Sequence, residues 1–211
     1  MFKNIIRELR NHAPFTTFGA MTGIVVMLFF YRLPSGISYN IFYVLHPLHV
    51  VLSALVTAAM YQHYKCGRMK VKCNLLTLLV IGYAGSIGIA TLSDSIIPYL
   101  GEVLLNLPNR GIHIGFIEHW LIVNPAAILG VAIAYFWPST KFPHAGHVLL
   151  STWASLFHII MAMAGTINWF LSIAIFIFLF LAVWVPCCVS DIIFPLLFVG
   201  EHNHEVECCR H

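Results

Sequence analysis

Two copies of the pattern H-x-x-H-V-x-L-S occur in this chain, at residues 46–53 and 144–151. Side chains three residues apart share one face of a helix, so each copy directs two imidazoles toward one point. Neutral imidazole nitrogens bind Zn, Fe, Ni, Co or Mn ions, whereas Mg and Ca prefer oxygen ligands. Each copy therefore predicts part of a site for a divalent transition metal.

A second repeated pattern adds a carboxylate to each copy. The pattern S-D-x-I-x-P-x-L places Asp94 and Asp191 in equivalent positions, each followed four residues later by a proline, Pro98 or Pro195. An aspartate costs about 2.5–3.5 kcal/mol at the centre of a spanning helix, so an apolar chain keeps one only beside a partner or water. Three imidazoles and one carboxylate complete a tetrahedral Zn site or leave room on a six-coordinate ion.

The chain that carries these residues has the composition of a membrane protein. Of its 211 residues, 60% are apolar and 9% are charged, and its mean hydropathy is +0.86. A soluble domain carries roughly 25% charged residues, and a spanning helix needs about 20 mostly apolar ones. Six windows meet that need, at residues 15–31, 41–61, 75–99, 116–137, 148–164 and 169–199. We predict an all-α polytopic membrane protein with about six transmembrane helices.

Basic residues predict the orientation of these helices. Nine of the eleven Lys and Arg residues lie on one side of the predicted membrane, and only Arg32 and Arg110 lie on the other. Because basic residues collect on the cytoplasmic side, we expect both termini in the cytoplasm and the protein in the cell (inner) membrane. We attribute the net charge of +3 to the basic residues on the cytoplasmic side. We therefore expect no nucleic-acid partner. The expected partners are the lipid bilayer and a metal ion, with a homo-oligomer left open.

The repeated patterns divide one membrane domain, residues 1–200, into two halves. Repeat one covers about residues 10–102 and repeat two about residues 116–200, and each holds three predicted helices. An odd number of helices makes the second copy enter the membrane upside down, which is the inverted-repeat architecture of many transporters. A weaker match pairs His12 with His119. Two quasi-equivalent halves can open a central site to either side in turn.

This topology predicts one polar cluster near each face of the membrane. The outer cluster contains His46, His49, Asp94, Glu118 and His119. The inner cluster contains His12, His144, His147 and Asp191. His158 lies on the same helix face as His147, and we expect it along the ion path.

The C-terminal tail, residues 201–211, is rich in His, Cys and Glu, as short metal-binding tracts often are. We expect His202 and His204 to bind an ion on the cytoplasmic side. Cys187 and Cys188 lie about one turn before Asp191. We interpret them as small buried apolar residues, with soft metal ligands as the alternative.

These features together predict a transporter that moves a divalent transition metal (Zn, Fe, Ni, Co or Mn) by alternating access. The alternative is a membrane-embedded metal- or haem-binding redox protein or enzyme, with His49 and His158 facing each other across a haem. A permease for a small organic solute would use the histidines as proton relays. In a purely structural interpretation, the His and Asp side chains bind no ligand and only join helices through hydrogen bonds. No separate nucleophile or cofactor motif occurs, so no catalytic residue is predicted.

Overall fold

The fold is entirely helical in this computed structural model, which describes residues 2–67, 74–138, 141–163, 165, 167–188 and 194. The helices in these ranges are α1 Phe2–Phe30, α2 Ser35–Tyr61, α3 Leu75–Thr91, α4 Ile97–Leu104, α5 Gly115–Glu118, α6 Trp120–Phe136, α7 Lys141–Ala162 and α8 Trp169–Cys188. The same ranges contain no β-strand.

Five helical stretches are long and apolar enough to cross a bilayer. They are Ala13–Phe30, Ser35–Lys65, Leu75–Leu104, His144–Ala162 and Trp169–Cys187. These stretches match five of the six predicted windows and are compatible with an integral membrane protein. The sixth window, 116–137, is divided at His119, whose φ of −121° and ψ of 48° leave the helical region. The remaining apolar helix, α6, has 17 residues, so its crossing of the bilayer stays a prediction.

Helices α2 and α7 form the centre of the bundle. α2 packs along α7 and against α3 and α6, while α1 and α8 pack on each other and against α7. The largest apolar cluster joins α1, α2, α7 and α8 through buried residues such as Met27, Phe42 and Leu179. On the other side of α2, Gly130 of α6 lies directly against the backbone of Val51. Small residues allow such close approach between helices in a membrane, where apolar burial alone cannot order them.

The third spanning helix changes its hydrogen-bonding pattern at a π-helical turn, Leu92–Ile96, between α3 and α4. There the N–H of Ile97 donates to the carbonyl of Leu92, five residues earlier. Pro98 has no N–H, so the carbonyl of Ser93, also five residues earlier, lacks the backbone donor that this pattern would supply. The hydroxyl of Ser155 in α7 lies 2.8 Å from that carbonyl and 2.8 Å from the carbonyl of Ser151 in its own helix, so its one proton is shared between the two acceptors. The turn is thus fastened to α7 beside Asp94.

Candidate metal centre

Polar side chains form one buried stripe on α2 and a second on α7. Both stripes follow the three- and four-residue spacing of a helix face. The buried polar residues of the two stripes are His46, His49, Ser53, Thr57, His147, Ser151, Ser155 and His158. Because polar groups directed at lipid would lack partners, packing α2 against α7 encloses both stripes between the helices.

Asp94 is fully buried and accepts hydrogen bonds on both carboxylate oxygens. The Nδ1–H groups of His46 and His49 donate to Oδ2 at 2.9 and 2.7 Å. The hydroxyls of Ser93 and Ser151 donate to Oδ1, both at 2.8 Å. The serine of the second motif copy therefore meets the aspartate of the first. In a neutral imidazole whose Nδ1 carries the proton, Nε2 is the nitrogen that can bind a metal ion.

The Nε2 atom of His49 is buried and has no hydrogen-bond partner. It lies near His147 and Cys187, which are also buried, and the candidate ligand atoms of the three residues are all within 4.8 Å of one another. The rings of His49 and His147 stack, with centroids 5.7 Å apart and planes 6° apart. α2, α7 and α8 each supply one member of this set, which we call the ligand group. Among the described residues it is the one group of at least three His, Cys, Asp or Glu side chains with this spacing.

His144 lies next to the ligand group, toward the start of α7. Its ring centroid is 5.1 Å from that of His147, and its side chain is half-buried. Both histidines of the second H-x-x-H pair therefore lie near one point, as the spacing predicted. Cys187, interpreted above as a small buried residue, is indeed buried, and its sulfur also lies beside two imidazoles.

Glu118 and His119 belong to a separate set at the other end of α2, which we call the mouth cluster. The mouth cluster consists of Tyr39, Tyr43, His113, Glu118 and His119. Glu118 Oε2 accepts a 2.6 Å hydrogen bond from the Tyr43 hydroxyl and lies 3.3 Å from Nδ1 of His113. The Tyr39 hydroxyl lies 3.0 Å from Nε2 of His119. The predicted outer cluster is thus divided, since its other three members meet at the Asp94 carboxylate.

His158 is held by Glu102, a residue that the sequence patterns did not single out. Nδ1 of His158 lies 2.7 Å from Oε1 of Glu102, and both side chains are buried. The N–H of Gly111 donates to Oε2 at 3.3 Å, and Nε2 of His158 has no hydrogen-bond partner. Glu102 follows Asp94 by eight residues, about two helical turns, inside the same apolar stretch. That second acidic residue is the sequence signal that would have identified it.

Some predicted metal residues lie outside the described part of the chain. These residues are Asp191, His202 and His204. His12 lies on α1, but its side chain is not among those described. The inner cluster is therefore represented here by His144 and His147.

Comparison with known proteins adds no relative to this description. No protein-family model, no curated protein and no solved structure matches the chain.

Proposed function

We propose that this chain transports a divalent transition-metal ion across the membrane and that His49, His147 and Cys187 bind the ion in transit. The observation that carries the proposal is the ligand group itself, in which three buried donor atoms lie within 4.8 Å of one another. Structural zinc sites are closed by four protein ligands. Within the described residues the group supplies three ligands, one from each of three helices, and movement of one of these helices would release the ion.

The ligand types favour Zn²⁺ among the expected metals. Imidazole suits Zn, Fe, Ni and Co, and a thiolate adds preference for a softer ion, so Mn fits least well. Asp94 supports this choice by accepting the Nδ1–H of His49 at 2.7 Å. A carboxylate in that position fixes the imidazole tautomer and orientation, as it does behind many zinc-bound histidines.

Charge balance favours a divalent ion. A Cys187 thiolate and the Asp94 carboxylate together carry two negative charges in a buried region. Lys65, at the last position of the second stretch, is the one Lys or Arg in the five stretches long enough to span a bilayer and in α6. Because buried charge must be compensated nearby, a divalent cation between the helices neutralises the group, whereas a monovalent cation leaves one negative charge.

Polar residues on both sides of the ligand group support a route through the protein. The mouth cluster lies toward the start of α2, with His46 between it and the ligand group. His144 lies on the other side, toward the start of α7. Contact between the two H-x-x-H copies supports our proposal of two inverted three-helix repeats. The distribution of basic residues supports the proposal that both termini lie in the cytoplasm. Movement of one repeat against the other would expose the ligand group to each side alternately.

Zinc flux into proteoliposomes tests the proposal. We expect the purified chain to bind one Zn²⁺ and to move it, and we expect His49→Gln and Cys187→Ser to abolish the flux. His63→Gln is the matched control, because His63 is exposed beyond the end of α2. No flux in the unmodified protein, or undiminished flux in both ligand variants, contradicts transport through this site.

An intramembrane thiol enzyme is the second candidate, and one observation favours it. Asp94 accepts a hydrogen bond from His49, and His49 lies near Cys187. An orienting acid, a base and a nucleophile are arranged in this way in thiol enzymes. Transport is preferred because His147 adds a second imidazole to the ligand group, which a metal uses and a thiol nucleophile does not need. His147→Gln separates the two. In a metal site it should weaken Zn²⁺ binding, whereas in a thiol enzyme it should leave the alkylation rate of Cys187 by N-ethylmaleimide and any thiol-dependent activity unchanged.

A further inference from the structure

Glu102 and His158 form a second buried carboxylate–histidine pair, apart from the ligand group. His158 lies eleven residues after His147 on α7, about 16 Å along the helix axis. Glu102 lies eight residues after Asp94, about 12 Å further along its own helix. Two independent helices therefore place the pair toward the same end of the bundle. There the loop 105–114 covers it, with the N–H of Asn109 donating to the carbonyl of Ala162 at 3.1 Å.

With a neutral imidazole, the hydrogen-bonded Glu102–His158 pair carries a net charge of −1. Nδ1–H of His158 donates to the Glu102 carboxylate at 2.7 Å, and the buried Nε2 atom carries no partner. Glu102 and His158 are 1% exposed, so water does not screen the carboxylate. A neutral imidazole beside an ionised carboxylate leaves one buried negative charge uncompensated, which is costly in an apolar surrounding. A proton on Nε2 removes that imbalance.

We propose that Glu102 and His158 form a proton-binding site, in which Nε2 of His158 takes up a proton delivered from the mouth of the protein through His113. His113 is 27% exposed in its side chain, and its ring centroid lies 5.4 Å from that of His158. In the transfer, the His113 imidazolium loses the proton and becomes neutral, while His158 becomes an imidazolium. Nδ1–H of His158 stays bonded to Glu102, so the buried pair changes from a net charge of −1 to zero.

Few other ionisable groups face this pair. From α2, the ring of Phe42 contacts the rings of Tyr43, His46 and His158. In the loop, Arg110 precedes Gly111 and is exposed, and His113 contacts Glu118. α1 over Ala13–Phe30 and α8 over residues 169–186 contain no ionisable side chain. The stretch that carries Glu102 also contains Tyr83, Asp94 and Tyr99, and α7 also contains Lys141, His144 and His147. Asp94 and His147 lie about 12 and 16 Å away along these helices. Glu102 is the carboxylate that contacts His158.

The state of His158 is measurable without any transport. We expect ¹⁵N-histidine solid-state NMR of the full chain in lipid vesicles to show both nitrogens of His158 protonated near neutral pH, with His158→Gln identifying the signal. In Glu102→Gln the Nε2 proton is expected to be lost, because no carboxylate remains to balance it. Glu102→Asp keeps the charge and should keep the imidazolium, and His63→Gln, at an exposed residue, is the control. A His158 with one unprotonated nitrogen in the unmodified protein at neutral and mildly acidic pH overturns the proposal.

A role of this proton in coupling rests on the proposed transport function. If one proton accompanies each ion, one unit of pH difference across the vesicle membrane changes Zn²⁺ accumulation about tenfold. Glu102→Gln should abolish this dependence while Zn²⁺ binding in detergent stays unchanged, and His63→Gln should behave as the unmodified protein. Zinc accumulation in Glu102→Gln that still follows the pH difference overturns the coupling. An unmodified protein that moves no Zn²⁺ refutes the transport function but leaves the NMR result on the proton site standing.

Discussion

The imidazole rings of His49 and His147 stack in parallel, with their centroids 5.7 Å apart and their planes within 6°. These residues hold equivalent positions in the two copies of the H-x-x-H pattern, so the stack is a point of contact between the two halves of the chain. A metal ion would bind both rings in their neutral form, since an imidazolium has no free nitrogen lone pair.

Replacing Cys187 by serine should change which metals the protein binds. The thiolate is the soft ligand of the group, so its loss is expected to weaken Zn²⁺ binding more than Mn²⁺ binding. Isothermal titration of the detergent-solubilised protein with each ion measures both affinities. His63→Gln should leave both affinities as they are. Equal loss of affinity for the two ions would contradict a role of the sulfur as a ligand.

Asp94→Asn tests the carboxylate behind His49 while preserving the shape of the side chain. Loss of a residue that orients a metal ligand commonly costs about 10–100-fold in metal affinity. We expect a loss in this range for Zn²⁺, measured by titration, and a smaller loss than that of His49→Gln. An affinity equal to that of the unmodified protein would show that His49 needs no carboxylate to bind the metal.

Ser155→Ala removes the hydroxyl that is shared between the carbonyl of Ser93 at the π-helical turn and the carbonyl of Ser151. A buried carbonyl without a donor costs about 1–3 kcal/mol, so the variant should unfold at lower temperature or denaturant concentration. Ser172→Ala is the matched control, because its hydroxyl bonds the carbonyl of Asn168 on the exposed first turn of α8. Equal stability of the two variants would show that the turn does not depend on Ser155.

Gly130→Ala tests the close approach of α6 to α2. A methyl group at Gly130 would meet the carbonyl oxygen of Val51, which belongs to the helix backbone and cannot move aside by rotation. Overpacking of this kind costs about 1–3 kcal/mol. Gly88→Ala on α3 is the control, since a Cβ there meets nothing within 4 Å. Unfolding in mixed micelles should show destabilisation for Gly130→Ala and none for Gly88→Ala.

Glu118 predicts a pH dependence of stability at the mouth cluster, outside the membrane-spanning helices. Burial raises the pKa of Glu118, but hydrogen bonds from Tyr43 and His113 outweigh it and hold the pKa below the ordinary 4.5. A lowered pKa in the folded state means that Glu118 contributes stability above pH 4.5 and loses it as the pH decreases through the folded-state value. Glu118→Gln should therefore be less stable than the unmodified protein at neutral pH. The difference should shrink in acid, and a constant difference down to low pH contradicts this account.

The sequence already determined the helical class and the residues that could carry chemistry. Long apolar windows predict spanning helices because lipid offers no partner for backbone polar groups, and five of the six windows correspond to helices of sufficient length. The spacing in H-x-x-H places both imidazoles on one helix face, and both His46 and His49 contact one carboxylate oxygen. These are local properties, set by helix periodicity and by the solvent around the chain.

Only the tertiary structure decided which of these residues meet. His119 contacts the tyrosines of the mouth cluster rather than completing a set with Asp94, and Cys187 joins two histidines from other helices. Glu102 pairs with His158 because α4 continues past the predicted end of its window and packs on α7. Contacts between distant segments depend on how helices cross and how closely they approach. Gly130 allows a close backbone contact between two helices, and Pro98 leaves a carbonyl without its backbone donor. Hydrophobicity and motif spacing do not reveal either effect.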